Sequence, residues 1–270
     1  MHVRQTEKKM NINEQPIAVF DSGIGGVSVL RELVRLMPNE NIIYYGDSKN
    51  APYGEKSLDE VRKLTLSAVE KFLGMGCKAL VVACNTATAA AVRLLRGMYP
   101  SLPIVGIEPA IKPAVLYGET KLGKTDGSST VLVMATPVTL SQDKFARLTE
   151  EYRNRANIMP LPCPHLAELI EKGDPDSPEI KEYLEKLLSP YKYIDSIVLG
   201  CTHYPFVAGH ICEILPNAAV FDGGYGTAKE AKRRIEAAGL ANTPNKKGKV
   251  TFMSSKSGET TELYRRFLTF

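Results

Sequence analysis

The chain has no tryptophan, no long apolar run, no block of basic residues and no C-x-x-C pair. Each lack excludes a class of protein. A membrane-spanning helix needs about eighteen consecutive apolar residues, and no stretch approaches that. Nucleic-acid binding calls for basic clusters interleaved with aromatics, whereas the net charge of +4 is small and dispersed. Five cysteines make an odd set, which suits a reducing, cytoplasmic setting better than a disulfide framework. Residues 1–15 are polar and mildly basic, without the apolar core or cleavage site of a signal peptide, and read as a flexible tail.

What remains is the composition of an ordinary globular protein: 270 residues, 44% hydrophobic and 24% charged, enough for one large or two modest α/β domains. The pattern is strand, polar turn, helix, repeated. Short apolar runs at 17–20, 41–46, 79–83, 104–107, 130–135, 196–200, 219–221 and 250–253 read as strands, most of them separated by helical stretches. Ser57 followed by Glu60 predicts a capped helix start, and Gly74 and Gly76 its end. Continuous apolar strands alternating with helices predict an α/β fold with mostly parallel sheets. Residues 118–129 (GETKLGKTDGSS) read as a flexible polar loop. The residues after Pro216 either complete the second half or return to the first; spacing does not decide between them.

Two cysteine cassettes stand out: LVVACNTAT over 80–88 and IVLGCTHYP over 197–205. Each thiol comes after an apolar strand and a small residue, and each precedes polar residues that open a predicted helix. In parallel α/β sheets the ligand crevice lies beyond the carboxyl ends of the strands. Five polar clusters fall at such ends: Asp21-Ser22; Gly46-Asp47 leading to Pro52-Tyr53-Gly54; Cys84-Asn85-Thr86; Thr136 to Ser141; and Cys201-Thr202-His203. A helix N-terminus lowers a thiol pKa and apolar burial raises it. The polar flanks favour a functional reading of Cys84 and Cys201. Cys77, Cys163 and Cys212, without such flanks, read as small buried hydrophobes. Asp21 to Gly26 fits neither G-x-G-x-x-G nor a Walker loop, but its backbone N–H groups and the Ser22 hydroxyl suit a carboxylate. Asp21 then serves as an ammonium contact or base-side carboxylate, or merely caps the helix. His203 either moves a proton beside Cys201 or caps its own helix. A metal site is disfavoured, because its ligands would come from distant segments without metal-type spacing.

Taken together, FDSGIGG (20–26), GDS (46–48), APYG (51–54), ACNTAT (83–88), GIEP (106–109), ATPVT (135–139), PCP (162–164) and LGCTHYP (199–205) resemble the cofactor-independent aspartate/glutamate racemase superfamily, glutamate racemases in particular. The resemblance implies two similar doubly wound α/β domains facing each other across an active-site crevice. It places residues 16–107 plus 218–270 in the first domain and 108–217 in the second, with the chain's end returning to the first half. It implies interconversion of L- and D-glutamate without pyridoxal phosphate, metal or other cofactor, in a homodimer, supplying D-glutamate for peptidoglycan. Cys84 and Cys201 would stand on opposite faces of the α-carbon, assisted by Asp21, His203 and, from a looser segment, Glu171. Asp21, Ser22, Pro52, Tyr53, Gly54, Asn85, Thr86, Thr136, Thr139, Thr202 and His203 would bind the substrate. Two departures are visible: Asp222 lacks its usual serine neighbour, and the 118–129 connection is longer than usual. An aspartate or other amino-acid racemase, a binding protein on the same scaffold, and a thiol-dependent metal or redox module are the alternatives. The binding protein would need the crevice but not two thiols.

Overall fold

The structure, a computed structural model, describes residues 11–243, 247–256 and 258–269. Strands β1 (Ile17–Asp21), β2 (Ile42–Gly46), β3 (Ala79–Val82) and β4 (Ile104–Gly106) form most of a first sheet. A second sheet contains β5 (Thr130–Ala135), β6 (Asn157–Pro162), β7 (Ser196–Leu199) and β8 (Ala219–Asp222), in the order β6-β5-β7-β8. The chain then returns, and β9 (Val250–Ser254) joins the edge of the first sheet, giving β4-β3-β1-β2-β9. Every pairing is parallel. The protein is therefore α/β, with two doubly wound parallel sheets.

Helices α1 (Val27–Leu36), α2 (Leu58–Gly74) and α3 (Asn85–Met98) connect the early strands, and α4 (Ile111–Lys121) leads into the second sheet. That half carries α5 (Pro137–Leu140), α6 (Asp143–Tyr152), α7 (Leu166–Glu171), α8 (Pro178–Leu188) and α9 (Ala208–Ile214). Then α10 (Gly224–Ala237) packs on α1, and α11 (Gly258–Thr269) closes the chain against α1 and β9. The Ser57 hydroxyl accepts from Glu60 N (3.3 Å), so α2 starts where the capping signature predicts.

The period of two along each strand sorts the core. Ile17 and Val19 face a cluster shared with Leu132, Met134, Ile197 and Leu199, which runs through both halves. Ala18 and Phe20 face the opposite layer, with Val61, Phe72 and Leu95. Val131, Val133 and Val198 back onto Ile111 and Phe145. Each such side chain, fully buried, stabilises the fold by roughly 1.5–3 kcal/mol before entropy is counted.

Three expectations need correction. The return to the first sheet comes after Asp222, not at residue 218, because Ala219–Asp222 pairs with Ser196–Leu199. The polar connection starts at Leu122: α4 runs on to Lys121, and Gly118 lets it lie against Ser129, whose Oγ is 2.1 Å from where a Cβ would stand. Of the expected tail, residues 1–10 lie outside the described residues, but 11–15 are docked. Asn13 Nδ2 donates to Gly239 O (3.1 Å) and Ala241 O (2.9 Å), and buried Lys78 bonds both Asn13 O and Glu40.

Candidate active site

Five strands deliver their next residues to one place. Asp21 ends β1, Gly46-Asp47 ends β2, Cys84 lies just past β3, Thr136 just past β5, and Cys201 just past β7. The carboxyl ends of the two sheets face each other, as contacts between the halves show. Thr202 Oγ1 donates to Asp21 Oδ2 (3.1 Å), and the hydroxyls of Thr86 and Thr136 lie 3.4 Å apart. Ser28 on α1 donates to Thr202 O (3.0 Å).

Cys84 is the N-cap of α3, and its sulfur accepts from Ala87 N (3.4 Å). This is the predicted helix terminus, yet the thiol is pushed up to about 12: burial is the main cause, and the Asp21 carboxylate adds to it. The Ser22 hydroxyl and the Ala87 N–H, both bonded to the sulfur, pull the other way and lose. Cys201 departs from expectation in its backbone. The chain beyond it forms a turn and a 3-10 segment, Tyr204–Val207, so no α-helix begins at this thiol. Its partner is a side chain: His203 Nδ1 lies 3.6 Å from the sulfur.

His203 Nε2 donates in turn to Glu171 Oε1 (2.6 Å). Burial opposes charge on this imidazole, but the bonds to Cys201 and Glu171 prevail and raise its pKa well above the ordinary value. Glu171 Oε1 also accepts from Ile24 N (2.6 Å), reaching from the second half to the glycine-rich turn of the first. That turn has to be glycine. A Cβ on Gly23 would stand 1.7 Å from Glu171 Oε1, and one on Gly25 would stand 2.4 Å from His203 Nδ1. Asp21, buried, accepts from Gly23 N (2.9 Å); burial raises its carboxyl pKa, with His203 opposing.

Several of the remaining expected residues meet where the two halves touch. Thr136 caps α5 through Thr139 N (3.2 Å), and the two hydroxyls bond each other at 3.0 Å. Gly54 presses against Thr136, where a Cβ would come within 2.7 Å of its methyl group. Asn85 is buried, and its Oδ1 has no hydrogen-bond partner within the protein. Tyr53 donates its hydroxyl to Asp47 Oδ2 (2.6 Å), and its buried ring packs against Phe20 at 6.2 Å, so its side chain serves the first half's core.

Asp47, which Asn50 also bonds, was named in a polar cluster but given no role, and Ser28 was not named at all; both are structural members of the site. Asp47 carried a signal, a carboxylate at a strand end; Ser28 carried none. Cys163, beside Cys201, is buried and pushed up to about 12 by burial. Cys77 is buried as expected, but Cys212 is exposed on α9. Glu55, His165 and Glu168 bring possible metal-ligand atoms within 4.8 Å of one another at the crevice mouth. They are exposed, and His165 Nδ1 lies 3.0 Å from Glu55 Oε1; neither thiol of the cassettes belongs to the group.

Two parallel sheets thus face each other, with a buried thiol beyond a strand end of each. The chain matches the Asp/Glu/Hydantoin racemase family over residues 17–231. It is 48% identical to a glutamate racemase of Clostridium acetobutylicum over 262 residues, 96% of this chain and 99% of the relative. A glutamate racemase isoform of Bacillus anthracis superposes with a TM-score of 0.81 at 29% identity, covering 96% of this chain and 95% of that one. The Francisella tularensis glutamate racemase, solved with D-glutamate, gives 0.78 at 27% identity, with coverage of 96% and 95%. The chain belongs to the Asp/Glu/Hydantoin racemase family, on its glutamate racemase branch, and is an amino-acid racemase. Among the described residues no helix is long and apolar enough to cross a membrane.

Proposed function

We propose that the substrate is glutamate and that Cys84 and Cys201 exchange its α-proton across opposite faces. The supporting observation is the pair itself. The two thiols are buried, stand beyond strand ends of different sheets, and are close enough for the charge of one to bear on the other. A single thiol can return a proton only to the face it came from. Racemisation therefore needs the second.

The neighbours divide the labour. His203, whose Nε2 is held by Glu171 Oε1 at 2.6 Å, places its Nδ1 3.6 Å from the Cys201 sulfur as a proton partner. Burial and Asp21 keep Cys84 a thiol. In the L-to-D direction the Cys201 thiolate takes the α-proton, and the electron pair stays on the α-carbon as a carbanion. The Cys84 thiol protonates the other face. The cycle leaves a thiol at Cys201 and a thiolate at Cys84, the reverse of the starting state and ready for the D-to-L direction.

Oriented donors in a closed, dry site stabilise the carbanion more than water would. Asn85, Thr86 and Thr139, with the backbone N–H of Gly54, supply them. The thiols are only 5% and 8% exposed, so bulk water is largely kept from the reacting faces. We place the enzyme in the cytoplasm as a homodimer that supplies D-glutamate for peptidoglycan.

Incubation of L-glutamate in deuterated water tests this reading. D-Glutamate carrying deuterium at the α-carbon is the expected product. Exchange with aspartate and none with either glutamate enantiomer would remove the substrate assignment.

A further inference from the structure

We propose that Arg266, on the last helix, is a positioning residue that holds Glu171 against His203 and so tunes the Cys201 side of the site. The proposal rests on the two-thiol function, in which the Glu171–His203 pair assists Cys201.

The sequence gives α7 a weak frame. It is a short helix, entered through His165 with φ of 62° and left through Gly173 with φ of 88°. Its final residue is Glu171, and the carbonyls of a helix's last turn and its exit need donors from outside. The Arg266 guanidinium donates to Gly173 O, and Leu263 of the same helix packs where a Gly173 side chain would lie. The donor therefore comes from the first half and the acceptor from the second.

Helix α11 is itself firmly seated. The hydroxyls of Tyr264 and Ser48 lie 2.8 Å apart beside the β2 turn, and Tyr264 also donates to Gly46 O (3.2 Å). Phe267 meets Phe206 edge-on at 4.7 Å, within the 3-10 segment just past His203. One helix thus touches the segments carrying both members of the pair. Arg266 is the contact that fixes Glu171.

The consequence is selective. Glu171 Oε1 holds Ile24 N and His203 Nε2 at 2.6 Å each, so a small shift of Gly173 loosens both bonds. Among the described residues, no hydrogen bond ties Cys84, Ser22 or the α3 N-terminus to α11. Loss of the guanidinium bond should lower turnover through the Cys201 side and leave substrate binding nearly intact.

The test is a double-mutant cycle on the full chain. Arg266→Ala is expected to lower kcat about tenfold with KM little changed, since misplacing a group that acts in the transition state acts on turnover. Arg266→Lys should fold as the wild type does and recover part of the loss. In a Glu171→Gln background, Arg266→Ala should cost nothing further; in a Ser22→Ala background it should cost its full tenfold. An equal loss in both backgrounds, matched by an equal fall in Tm, would make Arg266 merely structural and overturn the proposal. So would wild-type kcat in Arg266→Ala while Glu171→Gln is impaired. Wild-type turnover in Glu171→Gln would instead remove the underlying role of Glu171.

Discussion

The glycine turn offers the sharpest test of how the two halves meet. Alanine at position 23 places its methyl carbon 1.7 Å from Glu171 Oε1 and 2.4 Å from Cδ. Real contacts of this kind are essentially never under 3.0 Å, so the carboxylate must retreat by more than an ångström. It is the end of a flexible side chain, and it gives way before the backbone does. Retreat breaks its bonds to Ile24 N and His203 Nε2, each 2.6 Å long. A hydrogen bond to a charged group contributes roughly 1.5–3 kcal/mol, and about 1.4 kcal/mol is a factor of ten in rate. The Glu171 side chain is 14% exposed, so water offsets part of the loss. We expect Gly23→Ala to lower kcat about a hundredfold while costing only about 1–2 kcal/mol of stability. Circular dichroism of the glutamate enantiomers gives the rates in both directions, and urea unfolding gives the stability. Turnover within threefold of wild type in a folded Gly23→Ala protein would refute the steric argument. So would a further loss when Gly23→Ala is added to Glu171→Ala, where no carboxylate remains to be displaced.

Cys84→Ser and Cys201→Ser should each reduce turnover by about three orders of magnitude or more, since an alcohol is far less readily ionised than a thiol; full activity in Cys201→Ser would exclude the two-thiol mechanism. His203 supplies a pH test of stability. Its folded pKa lies well above its ordinary value, so its contribution is complete below about pH 6.5 and is lost as pH rises through the folded value. In Cys201→Ser, where no thiol proton offsets that of the imidazole and Glu171 still holds it, urea unfolding free energy should therefore fall with rising pH above about 6.5, at up to about 1.4 kcal/mol per pH unit, and fall less steeply when His203→Asn is added. Parallel curves for the two proteins would show that His203 is not held protonated.

The site was legible in the sequence to the extent that chemistry is carried by residue type at a strand end. The cysteine cassettes, Asp21-Ser22 and Thr136 to Thr139 were candidates there, because apolar runs marked each strand and polar residues marked its exit, whereas Tyr53 and Gly54 carried no signal alone. Glu171 was less plain, since its helix is short and its one notable backbone bond runs to the turn at Ile24, distant in the chain. Ser28 left no mark, being one hydroxyl on an otherwise amphipathic helix. The strand at Ala219–Asp222 was misassigned for a related reason. Apolar runs identify strands but not the sheet they join, and the partner here is Ser196–Leu199.

By itself the sequence determined the repeated strand–turn–helix grammar, the two thiols with their polar escorts, and the glycines at the first turn. These arise from local rules: side-chain period, capping, and the need for polar groups where a strand ends. Tertiary structure alone decided what the paired thiols are. Burial and the Asp21 carboxylate hold Cys84 as a thiol against the pull of its helix terminus, and Cys201 relies on a histidine in place of a helix. Desolvation and charge proximity depend on which segments meet, and in a chain folded into two facing sheets those segments are remote in sequence. The equivalence of the cassettes is written in the residues, and their asymmetry arises only when the halves close on each other.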